Sequence, residues 1–192
     1  MHRKTLSLVL ALLLLLCAPL TVSAAKLVAH YGSRGRRVEE VQSMLQELKL
    51  YRGEIDGECG KQTRQAVSSF QKKNRKKVTG SVDWPLYNLM SKKSGLDFSR
   101  YRKVWVMEAT GYSPQDPGVN DITSTGRVLR RGIVAVDPYI IPMGTRLYIM
   151  GYGEGIAADV GSAIKGNHID LAFMKRREAL QWGRRRVHVY IL

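Results

Sequence analysis

The sequence predicts two units in series: a small all-α unit of three helices, then a β-rich unit that closes as a small barrel. Three observations carry this. Between 33 and 91 apolar residues recur at helical spacing. Beyond 104 the pattern changes to short apolar runs between Gly and Pro signals. About six such runs fall within about 90 residues, which suits a closed barrel better than a doubly wound sheet.

The helices come first. Val38, Val41, Leu45 and Leu48 mark one amphipathic face. A turn-rich break follows over 51–60, with Asp56-Gly57 a strong turn signal. Thr63, Ala66, Val67 and Phe70 mark a second helix. Asp83 is placed to N-cap a third, with Pro85 in its first turn and Leu86, Leu89 and Met90 facing inward. The basic stretch 92–103 reads as a linker. Strands are expected at 104–110, 133–136, 146–149, 156–158, 168–173 and 187–192, with one helix over 175–182.

The N-terminus reads as a signal peptide over 1–24. His2, Arg3 and Lys4 form a basic n-region, residues 6–16 an apolar h-region, and Val22-Ser23-Ala24 a small-residue cleavage site. The apolar run is short for a bilayer span. The remaining boundaries are 25–91 for the helical module, 92–103 for the linker and 104–192 for the barrel. The chain after cleavage keeps Cys59 alone, so no intrachain disulfide is possible. Its net charge is the full +15 less Arg3 and Lys4, so +13. That balance favours anionic surroundings. An export signal argues against nucleic acid, leaving the anionic polymers of a bacterial envelope as the fitting neighbours.

Three aspartates stand out in the last third: Asp137 in GIVAVDPYIIPMGT, Asp159 in GIAADVGSAIKG and Asp170 in NHIDLAF. Aspartate is a poor strand residue and is rarely buried unless something satisfies it. Asp137-Pro138 is also a turn-like dipeptide, so a turn-capping role stays open there. A weaker version applies to Asp159 before Val160-Gly161. Asp170 lies between Ile169 and Leu171, where a turn role fits least. Thr110 and Tyr112 end the first strand, and Lys165 and Asn167 sit in a Gly-bounded loop between two aspartates, so all four are candidate substrate contacts. His168 shares a strand face with Asp170 by period two, and Glu108 shares one with Thr110.

Two family resemblances follow. Arg34-Gly35, Val38, Val41-Gln42, Leu45, Leu48, Tyr51, Ile55-Asp56-Gly57, Gly60, Thr63, Ala66-Val67, Phe70-Gln71, Gly80 and Val82 resemble the peptidoglycan-binding domain type 1 family. That implies a three-helix, non-catalytic wall anchor. Ala109-Thr110-Gly111-Tyr112, Ala135-Val136-Asp137-Pro138, Ile141-Pro142-Met143-Gly144-Thr145, Ala158-Asp159-Val160-Gly161, Ala163-Ile164-Lys165-Gly166 and Ile169-Asp170-Leu171 resemble the 3D domain family. Val160 stands where that family commonly has a hydroxyl residue. The resemblance implies a double-psi β-barrel. It also implies kinship with MltA-type lytic transglycosylases and Sps-type muralytic proteins, which cleave the MurNAc–GlcNAc bond and leave a 1,6-anhydro-muramyl end.

Such cleavage needs a proton on the leaving oxygen and stabilisation of an oxocarbenium-like state. A transglycosylase can use one carboxyl group as acid and then base, because the sugar's own C6 hydroxyl attacks. The resemblance assigns that group to Asp170, with Asp159 and Asp137 positioning substrate or tuning it. Like-charge neighbours and burial both raise a carboxyl pKa, the first only if the aspartates converge in space. The reading calls for no cofactor and no metal. It expects a secreted monomer at the cell wall, acting on glycan strands and meeting anionic wall polymers. Three carboxylates holding Mg²⁺ or Ca²⁺ is a rival. Zinc fits poorly with His30, His168 and His188 alone. The serious alternative is a non-catalytic peptidoglycan-binding or wall-remodelling protein.

Overall fold

The computed structural model describes residues 26–192. The expected signal peptide, 1–24, lies outside the described residues. A short strand β1 (Leu27–Ala29) opens the chain and pairs antiparallel with β2 (Val82–Asp83). Between them lie α1 (Arg36–Glu47) and α2 (Lys61–Lys73), and α3 (Trp84–Ser94) follows. Val38, Val41, Leu45, Val67, Phe70 and Met90 fill the space between the three helices. Asp83 caps α3 as expected, its carboxylate accepting from Leu86 N at 2.9 Å, and Gly95 ends that helix in the left-handed region (φ 78°).

Two buried glutamines fix the module's turns. Gln42 donates to Asp56 Oδ1 at 2.7 Å and accepts from Gly57 N at 2.9 Å, tying the loop after α1 to the helix itself. Gln71 accepts from Thr79 N and Gly80 N at 3.0 and 2.9 Å and does the same for the loop after α2. Each side-chain amide satisfies backbone groups that a buried loop would otherwise leave unpaired.

The β unit is a closed six-stranded barrel. Its strands are β3 (Lys103–Tyr112), β4 (Ile133–Ala135), β5 (Arg146–Ile149), β6 (Gly153–Asp159), β7 (His168–Ala172) and β8 (Arg185–Ile191). Their order around the barrel is β3-β7-β4-β6-β5-β8. The pairs β3–β7 and β4–β6 are parallel and the other pairs antiparallel. This is the double-psi class of barrel. Helix α4 (Arg176–Trp182) separates β7 from β8 and packs on β3. Met107, Ala109, Val134, Val136, Ile169 and Leu171 point into the barrel. The long excursion between β3 and β4 covers part of the outer face, where Leu129, Ile133, Ala158 and Ala172 form a separate small core.

The two units share a core. Tyr148, Met150 and Tyr190 of the barrel belong to the same buried cluster as the helices. Residues 92–103, read from composition as a linker, finish α3, make a 3₁₀ turn (Phe98–Arg100) and begin β3. Phe98 is buried and meets Tyr148 and Tyr190 with ring centroids 5.3 and 5.0 Å apart. At the centre of the seam Glu40, 1% exposed, accepts from Arg37 Nη1 (2.6 Å), Tyr87 OH (2.6 Å) and Tyr190 OH (2.8 Å). Glu39 lies 2.8 Å from His188 Nδ1 beside it.

Candidate functional site

Strand register, more than proximity in sequence, builds the site. Ala135 in β4 pairs with Asp170 on one side and Asp159 on the other. Asp170 in turn pairs with Thr110 in β3. The row Thr110, Asp170, Ala135, Asp159 therefore crosses four adjacent strands. Their neighbours Ala109, Ile169, Leu171, Val134 and Val136 fill the barrel interior, so by strand alternation Thr110, Asp170 and Ala135 face outward, and a register shift between β4 and β6 brings Asp159 level with Ala135. The alanine between the two aspartates is small and buried, and the Tyr112 side chain reaches from β3 to Asp159 on β6. Beside the row, Thr125 Oγ1 of the β3–β4 excursion donates to Ala158 O at 2.6 Å.

Each aspartate meets different chemistry. Asp170 is half-buried and accepts on Oδ1 from Thr110 Oγ1 at 2.7 Å. That donation leaves the threonine oxygen free to accept from His168 Nε2 at 3.0 Å. Burial holds the Asp170 carboxyl above the ordinary carboxylate range, and the Thr110 hydroxyl offsets this only in part. Asp159 accepts from Tyr112 OH, Ser124 N and Val160 N, all at 2.9 Å. Burial, then the bond to Asp159, pushes the Tyr112 phenol well above its usual value, so it stays a neutral donor. Asp137 gives both oxygens to backbone: Oδ2 accepts from Gly166 N at 2.9 Å and Oδ1 from Tyr139 N at 3.1 Å. Those N–H groups hold its carboxyl below the ordinary range.

The structure corrects one expectation. The three aspartates do not supply one another's like-charge effect. Among the described residues no three His, Cys, Asp or Glu side chains lie close enough to hold one ion. The like charge that acts on Asp170 is Asp116, a minor cause beside burial. Asp116 escaped the sequence reading. It accepts from Ser113 N at 2.8 Å and pairs with Arg176 at 2.9 Å, and the Ser113-Pro114-Gln115-Asp116 spacing is the turn signal that could have found it.

The remaining candidates divide. Thr110 and Tyr112 reach the aspartates directly. Lys165 is exposed beside Asp137, where its charge helps lower the carboxyl. Asn167 is exposed, and its backbone oxygen accepts from Glu108 N at 2.9 Å, while its side chain contacts none of the three aspartates. Glu108 is drawn into a surface ion pair with Arg184. Val160 contributes its N–H to Asp159, so that contact survives without a side-chain hydroxyl.

Comparison with known proteins finds a match within each unit. Residues 34–90 match the putative peptidoglycan binding domain and residues 132–192 match the 3D domain. Over 94 residues the chain is 42% identical to the cell wall-binding protein YocH of Bacillus subtilis (strain 168), covering 47% of this chain and 33% of that protein. It is also 42% identical over 94 residues to the putative cell wall shaping protein YabE of the same strain, covering 23% of it. The chain thus spans a third or less of the length of these curated relatives. Among solved structures, the SleB N-terminal domain aligns at 30% identity over 34% of this chain and 90% of that one, with a TM-score of 0.34. MltA from E. coli aligns at 27% identity over 40% of this chain and 28% of that one, with a TM-score of 0.33.

Proposed function

We propose that this chain, a putative peptidoglycan binding domain followed by a 3D domain, is an exported cell-wall enzyme that cleaves MurNAc–GlcNAc bonds as a lytic transglycosylase. The observation that carries the reading is Asp170. It is a half-buried carboxyl with one hydroxyl donor and a raised pKa, two strands from a second carboxylate on the outward barrel face that serves as the proposed glycan groove. Burial shifts this carboxyl toward its protonated form, the form that gives a proton to a substrate oxygen.

In the proposed reaction Asp170 protonates the glycosidic oxygen and the bond from that oxygen to C1 of the muramyl sugar breaks. The leaving sugar departs with the proton. Positive charge develops at C1 and the ring oxygen, where the Asp159 carboxylate, held by Tyr112 and two backbone N–H groups, stabilises it. The C6 hydroxyl of the same muramyl sugar attacks C1, and its proton passes to Asp170, restoring the acid. No water is consumed and the product is a 1,6-anhydro sugar. Asp137 braces the turns on either side of the groove. The helical module holds the protein on the polymer, and the shared core keeps module and barrel in one orientation.

A second reading has its own support, because the relative YocH is named a cell wall-binding protein. There the groove binds glycan without cutting it. Mass spectrometry of soluble products after the protein lacking residues 1–24 meets purified peptidoglycan separates the two. Anhydro-muramyl products establish the transglycosylase. Reducing-end products mean hydrolysis. Protein that pellets with the wall and releases nothing supports the binding reading.

A further inference from the structure

An aromatic ring stands exposed two residues beyond Asp137. Tyr139 is 95% exposed, the most exposed large hydrophobic side chain among the described residues. Its backbone is nevertheless firmly held. Tyr139 N donates to Asp137 Oδ1, Ile140 N and Ile141 N donate to Asp137 O at 3.0 and 2.9 Å, and the Ile141 side chain is buried in the barrel core. A rigid turn thus displays a large apolar ring to solvent, the arrangement binding surfaces use to limit the entropy lost on contact.

The same carboxylate braces the turn that carries a cation. Asp137 Oδ2 accepts from Gly166 N, next to the exposed Lys165, whose charge acts on Asp137. One buried aspartate therefore braces both the turn that carries Tyr139 and the turn that carries Lys165.

We propose that Tyr139 and Lys165 form a sugar subsite beside the Asp170–Asp159 row, and that its occupant is an acidic pyranose. The apolar C–H face of the sugar ring lies on the Tyr139 ring, whose negative quadrupole attracts it, and the sugar's carboxylate meets the Lys165 ammonium. The inference rests on the glycan reading of the groove and narrows it. In peptidoglycan the acidic pyranose is the muramyl residue, whose lactyl carboxyl is ionised only where the peptide has been removed. The subsite thus selects peptide-free strands.

The test measures binding in the Asp170→Asn background, so that turnover does not consume the probe. The probes are soluble peptide-free peptidoglycan strands, the same strands with their carboxylates converted to methylamides, and chitohexaose. The module contributes equally to every barrel variant. Tyr139→Ala is expected to weaken binding of all three by about tenfold, and Tyr139→Phe to retain it. Lys165→Met is expected to abolish a roughly threefold preference for free carboxylates over amides and leave chitohexaose unchanged. Equal binding by Tyr139→Ala and its parent, or an unchanged carboxylate preference in Lys165→Met, overturns the proposal. Products are scored separately in the chain that keeps Asp170. If no anhydro sugars form but Tyr139→Ala still weakens binding, the enzymatic reading fails and the subsite stands.

Discussion

Two carboxylates, one at the seam and one on the outward barrel face, are both withdrawn from water, and their partners differ. Glu40 is met by a guanidinium and two phenols, so its acceptor capacity is filled and it locks α1 to the barrel. Asp170 has one hydroxyl partner and no cation bonded to it among the described residues. Burial without a matching set of donors favours the protonated form. The difference teaches that burial alone does not set a carboxyl's behaviour. The donors around it decide as much.

The largest effect expected from this contrast is on turnover. Asp170→Asn keeps the shape and an acceptor for Thr110 but cannot give up a proton, so cleavage should fall on the order of 10²–10⁴-fold, measured as anhydro product per unit time. Its stability should move the other way. A carboxyl whose folded pKa is raised contributes stability below its unfolded value of about 3.9, and loses it as pH rises through the folded value. Asn removes that loss, so in denaturant titration at neutral pH the variant should be at least as stable as the parent.

Glu40→Ala inverts the pattern. It leaves two buried phenols without an acceptor and should cost about 3 kcal/mol of unfolding free energy, read from the urea midpoint, while the chemistry of any surviving folded protein persists. If both variants lose activity and stability together, the distinction between seam and groove collapses.

Smaller effects sharpen the account within the groove. Tyr112→Phe removes one of three donors to Asp159 and should slow cleavage by roughly tenfold to a hundredfold, with little change in wall pelleting. Asp137→Ala should act through the turns it braces, speeding hydrogen exchange at the Tyr139 and Gly166 amides. Asp137 also has the opposite pH sign to Asp170. Its depressed carboxyl contributes stability above about pH 3.9, lost as pH falls through the folded value.

Most of the architecture was legible in the sequence because it rests on local signals. Helical periodicity found α1 and α2, and the Asp83 cap with Pro85 found α3. Short apolar runs between Gly and Pro found the barrel strands, with ends displaced by one to a few residues. The seam was not legible. Tyr148 and Tyr190 alternate in their strands like any barrel residue, and nothing local says that they meet Phe98 and Glu40 from another unit. Residues 92–103 are basic and so read as a linker, although Phe98 and Tyr101 within them pack on the barrel. Strand β1 was missed because three residues are too few to show a period.

For the site, sequence reading picked out the three aspartates but not their surroundings. The Ala135 register that sets Asp159 and Asp170 side by side in one row is a property of two non-consecutive strand pairings. The donors on Asp159 and Asp137 are largely backbone N–H groups, which carry no residue-type signal. Asp116 was overlooked because its turn lies outside the apolar runs that drew attention to the other aspartates.

The most direct test of the central claim is a product assay on purified peptidoglycan with the parent protein and Asp170→Asn side by side, each first shown to be folded and to pellet with the wall. The account predicts 1,6-anhydro-muramyl products from the parent and none above background from Asp170→Asn. Equal product from both proteins would contradict it, because the proton would then come from another group.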